Sequence, residues 1–373
     1  MTLGFWMKWA LRDLRQRWTQ VLVIAIIIGL GTGLYAGLRS VIPWRLASYD
    51  ASYEALNMYD LNLMLDNNVY LPEADLLDAV STVDGVAAVQ GRLTLATLVE
   101  VARPDDPDAD PLLVAGQLIG LPVGADLPPI NQLHLEQGRA FAPDDTGAMV
   151  AALEYKFARH YNITPSNIDA VRVSGGITLD LVATVQEPQY FIVAAENTGP
   201  LLGESTYAAV FAPLATVQSA TEHSESINQV LVRLAPGADV AAVEAAVEAT
   251  VNGRFGEVGL SLIRQADDPA RRTLYEDVRN DDTMFLAVSL IFLFGAALGA
   301  FNLVSRMVEA MRREIGIGMA LGTPTRLLVV RPLLAGAQIA LLGVAAGVIL
   351  GLLLSELMGH FINNILTVPV WQT

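Results

Sequence analysis

The chain has 373 residues, 53% of them hydrophobic and 17% charged, with a mean hydropathy of +0.43. A globular domain carries about 25% charged residues, so the apolar excess has to be housed outside an ordinary core. The net charge of −16 would repel phosphates and excludes nucleic acid as a partner, and the absence of cysteine excludes thiol catalysis, thiolate zinc sites and disulfides.

Residues 1–18 carry Lys8, Arg12, Arg15 and Arg17 against Asp13, a net charge of +3, and predict a cytoplasmic amphipathic helix. Gln20–Leu38 follows with 19 uncharged residues, enough for a bilayer core that needs roughly 20, and predicts a first membrane span over 19–40. This run exceeds the 7–15 apolar residues of a cleaved leader, and Leu34-Tyr35-Ala36 matches a small-residue cleavage site poorly, so it reads as a retained anchor.

Residues 41–282 have a different character. Between Arg39 and Asp282 there are 14 basic and 35 acidic residues, a net charge of −21. Strand-like runs (Asp60–Leu65, Val86–Val101, Leu112–Ile119, Ala170–Val173, Thr178–Val185, Ile227–Leu234) alternate with helical ones (Glu73–Val80, Ala152–Tyr161, Ala241–Val251). The pattern predicts a large α+β domain. At this length it could divide in two, with Arg103–Pro111 as the exposed loop or linker.

Thr283–Ser305 gives 23 uncharged residues that are apolar on all faces, a second span over 283–305. Residues 306–323 hold Arg306, Arg312 and Arg313, and with Arg326 and Arg331 against Glu309 and Glu314 this stretch is again +3. Arg306–Leu321 reads as a helix supported by Glu309 and Arg313 at i,i+4, ended by Gly322 in the left-handed conformation. Thr323 and Pro324 then suit the first positions of a third span over 324–357, whose uncharged core is Pro332–Ser355, before a final segment 358–373. Basic flanks stay in the cytoplasm, so the −21 segment and residues 358–373 are expected outside the cell membrane.

Glycines recur every fourth residue at Gly29, Gly33 and Gly37, at Gly295 and Gly299, and at Gly343, Gly347 and Gly351. Such faces let membrane helices approach closely and shift against one another. Catalytic signatures are few. There is no phosphate loop, no H-E-x-x-H and no G-x-S-x-G. His134, His160, His223 and His360 are scattered, Asp105, Asp106, Asp108 and Asp110 lack the glycine and distal glutamate of a calcium loop, and Asn162-Ile163-Thr164 is a sequon followed by Pro165. No metal and no cofactor is expected.

RREIGIGMALGTPTRLL (Arg312–Leu328) resembles the E-I-G-x-L-R-A-L-G-A signature of the FtsX/MacB-type ABC transporter permeases, a family that includes the LolC and LolE subunits. Trp9–Gly33 is similar to the family's ALRNLRRRKLRT entry into its first helix, and LEQGRAFAPDD (Leu135–Asp145) to its L-x-x-G-R-x-F-x-x-D segment. Gly318-Met319 stands where the family has Leu-Arg. The resemblance implies three visible spans with a fourth expected but absent, so that the chain looks like the N-terminal part of a longer permease. It implies a partner cytoplasmic ABC ATPase, contacted through Arg312, Arg313, Glu314, Ile315, Gly316, Ile317 and Gly322, and a second permease copy or homologous half. Membrane lipid surrounds such a protein, and an extracytoplasmic adaptor or hydrolase is a further possible partner. The implied function is to pass ATP-driven motion outward, to export or extract a lipid, lipoprotein, peptide or drug. The alternative is a non-transporting mechanotransmitter that activates a cell-wall hydrolase.

Overall fold

The computed structural model describes residues 12, 15, 18–66, 68–105, 110–124, 130–192, 206–322, 324–365 and 368–372. The amphipathic helix expected over 1–18 therefore lies outside the described residues apart from Arg12, Arg15 and Trp18, and so does Thr323. The chain divides into two compact units: Met1–Ser48 with Asp277–Thr367 and Trp371–Thr373, and Tyr49–Glu276 with Val368–Val370.

Helix α1 (Trp18–Ala55) comes first. The second unit then builds one ten-stranded sheet from β1 (Leu61–Leu65), β3 (Val86–Val101), β4 (Leu112–Leu121), β5 (His134–Gly138), β6 (Val150–Glu154), β7 (Ala170–Val173), β8 (Ile177–Gln186), β9 (Tyr207–Pro213), β11 (Gln229–Leu234) and β12 (Leu260–Arg264). Short β2 (Leu71–Pro72) and β10 (Ser226–Ile227) pair separately. The order is β12-β1-β11-β3-β4-β9-β6-β8-β5, with β7 joined to β3 and β8. Only the β4–β9 and β6–β8 pairings are parallel among the described residues.

Helices α2 (Glu73–Ser81), α3 (Tyr155–His160), α4 (Leu214–Ala220) and α5 (Val240–Phe255) bury Leu76, Val80, Phe157, Leu214, Val217, Val243, Val247 and Val251 in one core with the strands. Alternation along the strands gives the sheet a second buried face. In β9, Ala208, Val210 and Ala212 serve the first core while Ala209 and Phe211 serve the second; in β6, Ala151 and Leu153 oppose Ala152 in the same way. A strand buried on both faces reads as a continuous apolar run, which is why the helix expected over Ala152–Tyr161 is instead strand through Glu154 and helix only from Tyr155. Glu154 marks the change, its carboxylate accepting the Phe157 N–H at 2.9 Å.

The external segment does not divide in two. β3 and β4 pair antiparallel from Leu93↔Gly120 to Val101↔Leu112, so Arg103–Pro111 joins a hairpin rather than linking domains. A buried polar network then fixes the loops to the sheet. Arg92, 1% exposed, donates to Glu187 Oε1 at 3.0 Å, the Asn131 amide donates to the same oxygen at 2.7 Å, and Asn131 Oδ1 accepts the Tyr59 N–H at 2.8 Å. The Tyr59 hydroxyl donates to Asp268 at 2.7 Å; burial pushes both that phenol and the Asp268 carboxyl above their ordinary ranges.

Helices α6 (Pro269–Ala310), α7 (Arg312–Ala320) and α8 (Thr325–Ile365) join α1 in supplying the first unit. Three helices are long and apolar enough to cross a membrane: Trp18–Ala55, Pro269–Ala310 and Leu328–Asn363. Each runs beyond the span expected from the uncharged run alone. The single helix expected over Arg306–Leu321 is broken at Met311, whose N–H bonds back to Val308 at 3.0 Å. Residues 306–310 therefore finish α6, and Glu309 and Arg313 form no ion pair because the break takes them off one helical ladder.

At the end of β5, Arg139 donates to both Asp145 oxygens, at 2.6 and 2.9 Å, and the Ala142 N–H donates to the same carboxylate at 2.7 Å. The guanidinium and that N–H hold the carboxyl below its usual range. A depressed acid contributes stability above its unfolded pKa and loses it as pH falls through the folded value. Arg139→Gln should thus cost less than about 1 kcal/mol at neutral pH, since Arg139 is half exposed, and nothing once pH falls well below about 4. Denaturant unfolding of wild type and variant across pH checks this.

Candidate functional site

The first unit is assembled from close helix contacts. Gly29, Gly33 and Gly37 of α1 face Gly343, Gly347 and Gly351 of α8. A Cβ on Gly33 would stand 2.9 Å from the Gly347 carbonyl oxygen, one on Gly37 2.9 Å from that of Gly351, and one on Gly29 3.3 Å from that of Gly343. From the other side, a Cβ on Gly343 would stand 2.7 Å from Ile28 and one on Gly347 would strike the Thr32 hydroxyl. Thr32 spends that hydroxyl on the Ile28 carbonyl at 2.8 Å, and the pair of helices is tied further along by the Ser40 and Ser355 hydroxyls at 2.5 Å.

The α6 glycines behave differently. Gly299 makes ordinary contact with Ile27, at 3.4 Å, but Gly295 has nothing within 4 Å, so the structure does not bring it into a helix contact. The close approach of α6 to α1 is made instead at Gly31, whose Cβ would stand 2.7 Å from that of Ala296; four-residue spacing alone does not select it. Around Gly295 the α6 surface is large and apolar, with Ile291, Phe294, Leu298 and Phe301 all more than half exposed. Val21, Ile24, Met307 and Ile339 close a small core among the three helices.

Charge fixes the same bundle. Arg45, 1% exposed, meets Asp277 at 2.6 Å and also Asp281, and Arg39 meets Asp282 at 2.9 Å. These pairs join residues more than two hundred positions apart. Three carboxylates within six residues of one helix, beside an apolar run, are the sequence signal that points to them. Only the Arg45 guanidinium is buried; Asp277 is about half exposed and Asp281 partly so.

α7 presents the expected coupling residues on a short, separate helix. The Met311 carbonyl accepts the Ile315 N–H at 3.0 Å and opens the ladder; the Leu321 and Gly322 N–H groups bond to Ile317 and Met319, and Gly322 closes it at φ +76°. Arg312, Arg313, Gly316 and Ile317 are exposed, Ile315 is half-buried, and Met319 and Leu321 add apolar surface. Glu314 lies within the helix. Gly316 has nothing within 4 Å, whereas a Cβ on Gly318 would stand 2.7 Å from Leu328 of α8. Gly318 is thus the glycine that faces the chain, and Gly316 the one that faces outward.

Comparison with known proteins gives two family matches. Residues 21–250 match the MacB-like periplasmic core domain and residues 286–372 the FtsX-like permease C-terminal domain. The macrolide export ATP-binding/permease protein MacB 1/2 of Paracoccus denitrificans is 25% identical over 233 residues, 62% of this chain and 33% of that protein. MacB of Agrobacterium fabrum is 25% identical over 236 residues, 63% and 35%. The chain spans about a third of the length of these curated relatives. The crystal structure of the periplasmic region of MacB from Actinobacillus actinomycetemcomitans aligns with 61% of this chain and 96% of its own, at 12% identity and a TM-score of 0.39.

The two glycines Gly347 and Gly295 differ in what surrounds them, and that difference can be tested. Gly347→Leu should destabilise the detergent-solubilised protein by about 1–3 kcal/mol, the range for forcing bulk into a packed contact. Gly295→Leu, with open space around it, should leave the melting temperature unchanged. Thermal unfolding of the two variants side by side decides it.

Proposed function

The chain belongs to the MacB/FtsX-type family of ABC transporter permeases, and from that premise we propose that it passes the ATP-driven motion of a partner cytoplasmic ATPase to its extracytoplasmic domain. The work done there is export or extraction of a hydrophobic cargo. In this reading the N-terminus and α7 are cytoplasmic and the acidic α+β unit lies outside. Two +3 flanks and a −21 segment support that orientation.

The observation that carries the proposal is α7. It is a nine-residue helix with its own start at Met311 and its own stop at Gly322, set between two helices of membrane-spanning length. Arg312 and Arg313 offer charge to acidic groups of an ATPase, while Ile317 and Met319 offer apolar contact. A helix that only fixed topology would need the charge and not the exposed apolar side chains. Motion of α7 would reach the bundle through α8, to which Gly318 is apposed, and α8 in turn lies backbone to backbone against α1.

Glu314→Lys combined with Gly316→Trp tests the contact. The added indole has open space on its own chain, so folding and membrane insertion should survive. It would block a partner surface, and a buried interfacial charge pair that loses its complement costs about 2–5 kcal/mol. ATP hydrolysis coupled to the permease should fall to the level of the ATPase alone. Normal coupled hydrolysis in the double variant, with the ATPase still bound, would eliminate α7 as the coupling element.

A further inference from the structure

A cleft of about 520 Å³ opens on the second face of the sheet in the α+β unit, within the range of about 300–1,000 Å³ common for small-molecule sites. Ala152 of β6 and Ala183 of β8, both buried, lie in its lining together with Leu121 and Val185. Leu133, Leu135 and Phe141 also line it, Leu133 and Phe141 packed against the buried cluster that holds Ala152 and Ala183.

The polar groups along this lining say what can enter. Arg139 is its only cation among the described residues, and its guanidinium is neutralised by the two bonds to Asp145. The Asn131 amide is spent on Glu187 and Gln189, and its oxygen accepts the Tyr59 N–H. Gln90 is likewise spent when its amide is oriented to donate to the Ile130 carbonyl at 3.0 Å and accept from Arg92 at 3.2 Å, and the exposed Gln132 amide is left able to meet one hydrogen-bonding group without offering net charge. Among the described residues no unspent opposite charge lines the cleft to receive an ionised ligand, and desolvating an unpaired charge is unfavourable. An apolar body gains by leaving water for the apolar part of this lining.

We propose that this cleft binds an uncharged, largely apolar small molecule with one hydrogen-bonding group at Gln132. The proposal goes beyond the permease reading and does not require the ATPase.

The test uses the full chain in phosphatidylcholine nanodiscs with a photoactivatable diazirine derivative of a long-chain alcohol, adducts being mapped by mass spectrometry. Adducts are expected on the 133–141 peptide as well as on lipid-facing α6 residues such as Phe292 and Phe294, which serve as the internal reference. Ala183→Leu, which adds bulk to the lining, and Leu135→Glu, which puts a charge at a half-exposed lining position and is the more tolerant of folding, should each lower the 133–141 adducts roughly tenfold, a loss of about 1.4 kcal/mol in affinity, without changing those on α6. Excess unlabelled alcohol should compete, and its alkyl sulfate should not. Absence of 133–141 adducts, or adducts that survive both variants, would overturn the site; equal competition by the sulfate would overturn the uncharged class. Such a failure leaves α7 coupling untouched, because that is read from ATP hydrolysis.

Discussion

The backbones of α1 and α8 approach more closely than side chains on either would permit, and the membrane unit depends on that approach. In lipid there is no hydrophobic drive to join two apolar helices, so association rests on close packing and on the few polar contacts available. Facing glycines at Gly33 and Gly347 and at Gly37 and Gly351 supply the first. The Ser40–Ser355 hydroxyl pair supplies the second.

Ion pairing adds a second, different restraint. Arg45 is almost wholly buried, while the carboxylates it meets, Asp277 and Asp281, are partly exposed, so these contacts join a buried cation of α1 to the more solvated edge of α6. The contrast with α6 at Gly295 is informative. Where neither glycine contact nor charge intervenes, α6 leaves its large apolar side chains exposed.

Much of this was legible in the sequence, and for physical reasons. Three candidate spans are apparent because a bilayer core calls for about 20 apolar residues in one helix, and each uncharged run comes close to or exceeds that length. Strand β3 is bounded by a glycine at Gly85 and by the Arg103-Pro104 turn, and its expected limits coincide with those observed. The first half of Ala152–Tyr161 misled because alanine, glutamate and lysine favour helices locally, while burial on both faces of a central strand outweighs that preference. β9 was missed for a related reason, its alanine-rich YAAVFAP carrying no two-residue alternation when both faces are buried. The glycine ladders were legible as spacing, but spacing could not tell Gly31, which is packed, from Gly295, which is open. The Arg45 pairs and the cleft arise from chain segments far apart in sequence, where periodicity carries no information.

The proposed coupling requires residues 306–323 to be cytoplasmic and residues 41–282 to be extracytoplasmic. Because the chain has no cysteine, single cysteines introduced at Ser166, Ser224 and Thr323 give a background-free measurement with an impermeant thiol reagent. Ser166→Cys and Ser224→Cys should react in intact cells, and Thr323→Cys only after permeabilisation. Labelling of Thr323→Cys from outside would contradict the orientation and remove any contact between α7 and a cytoplasmic ATPase.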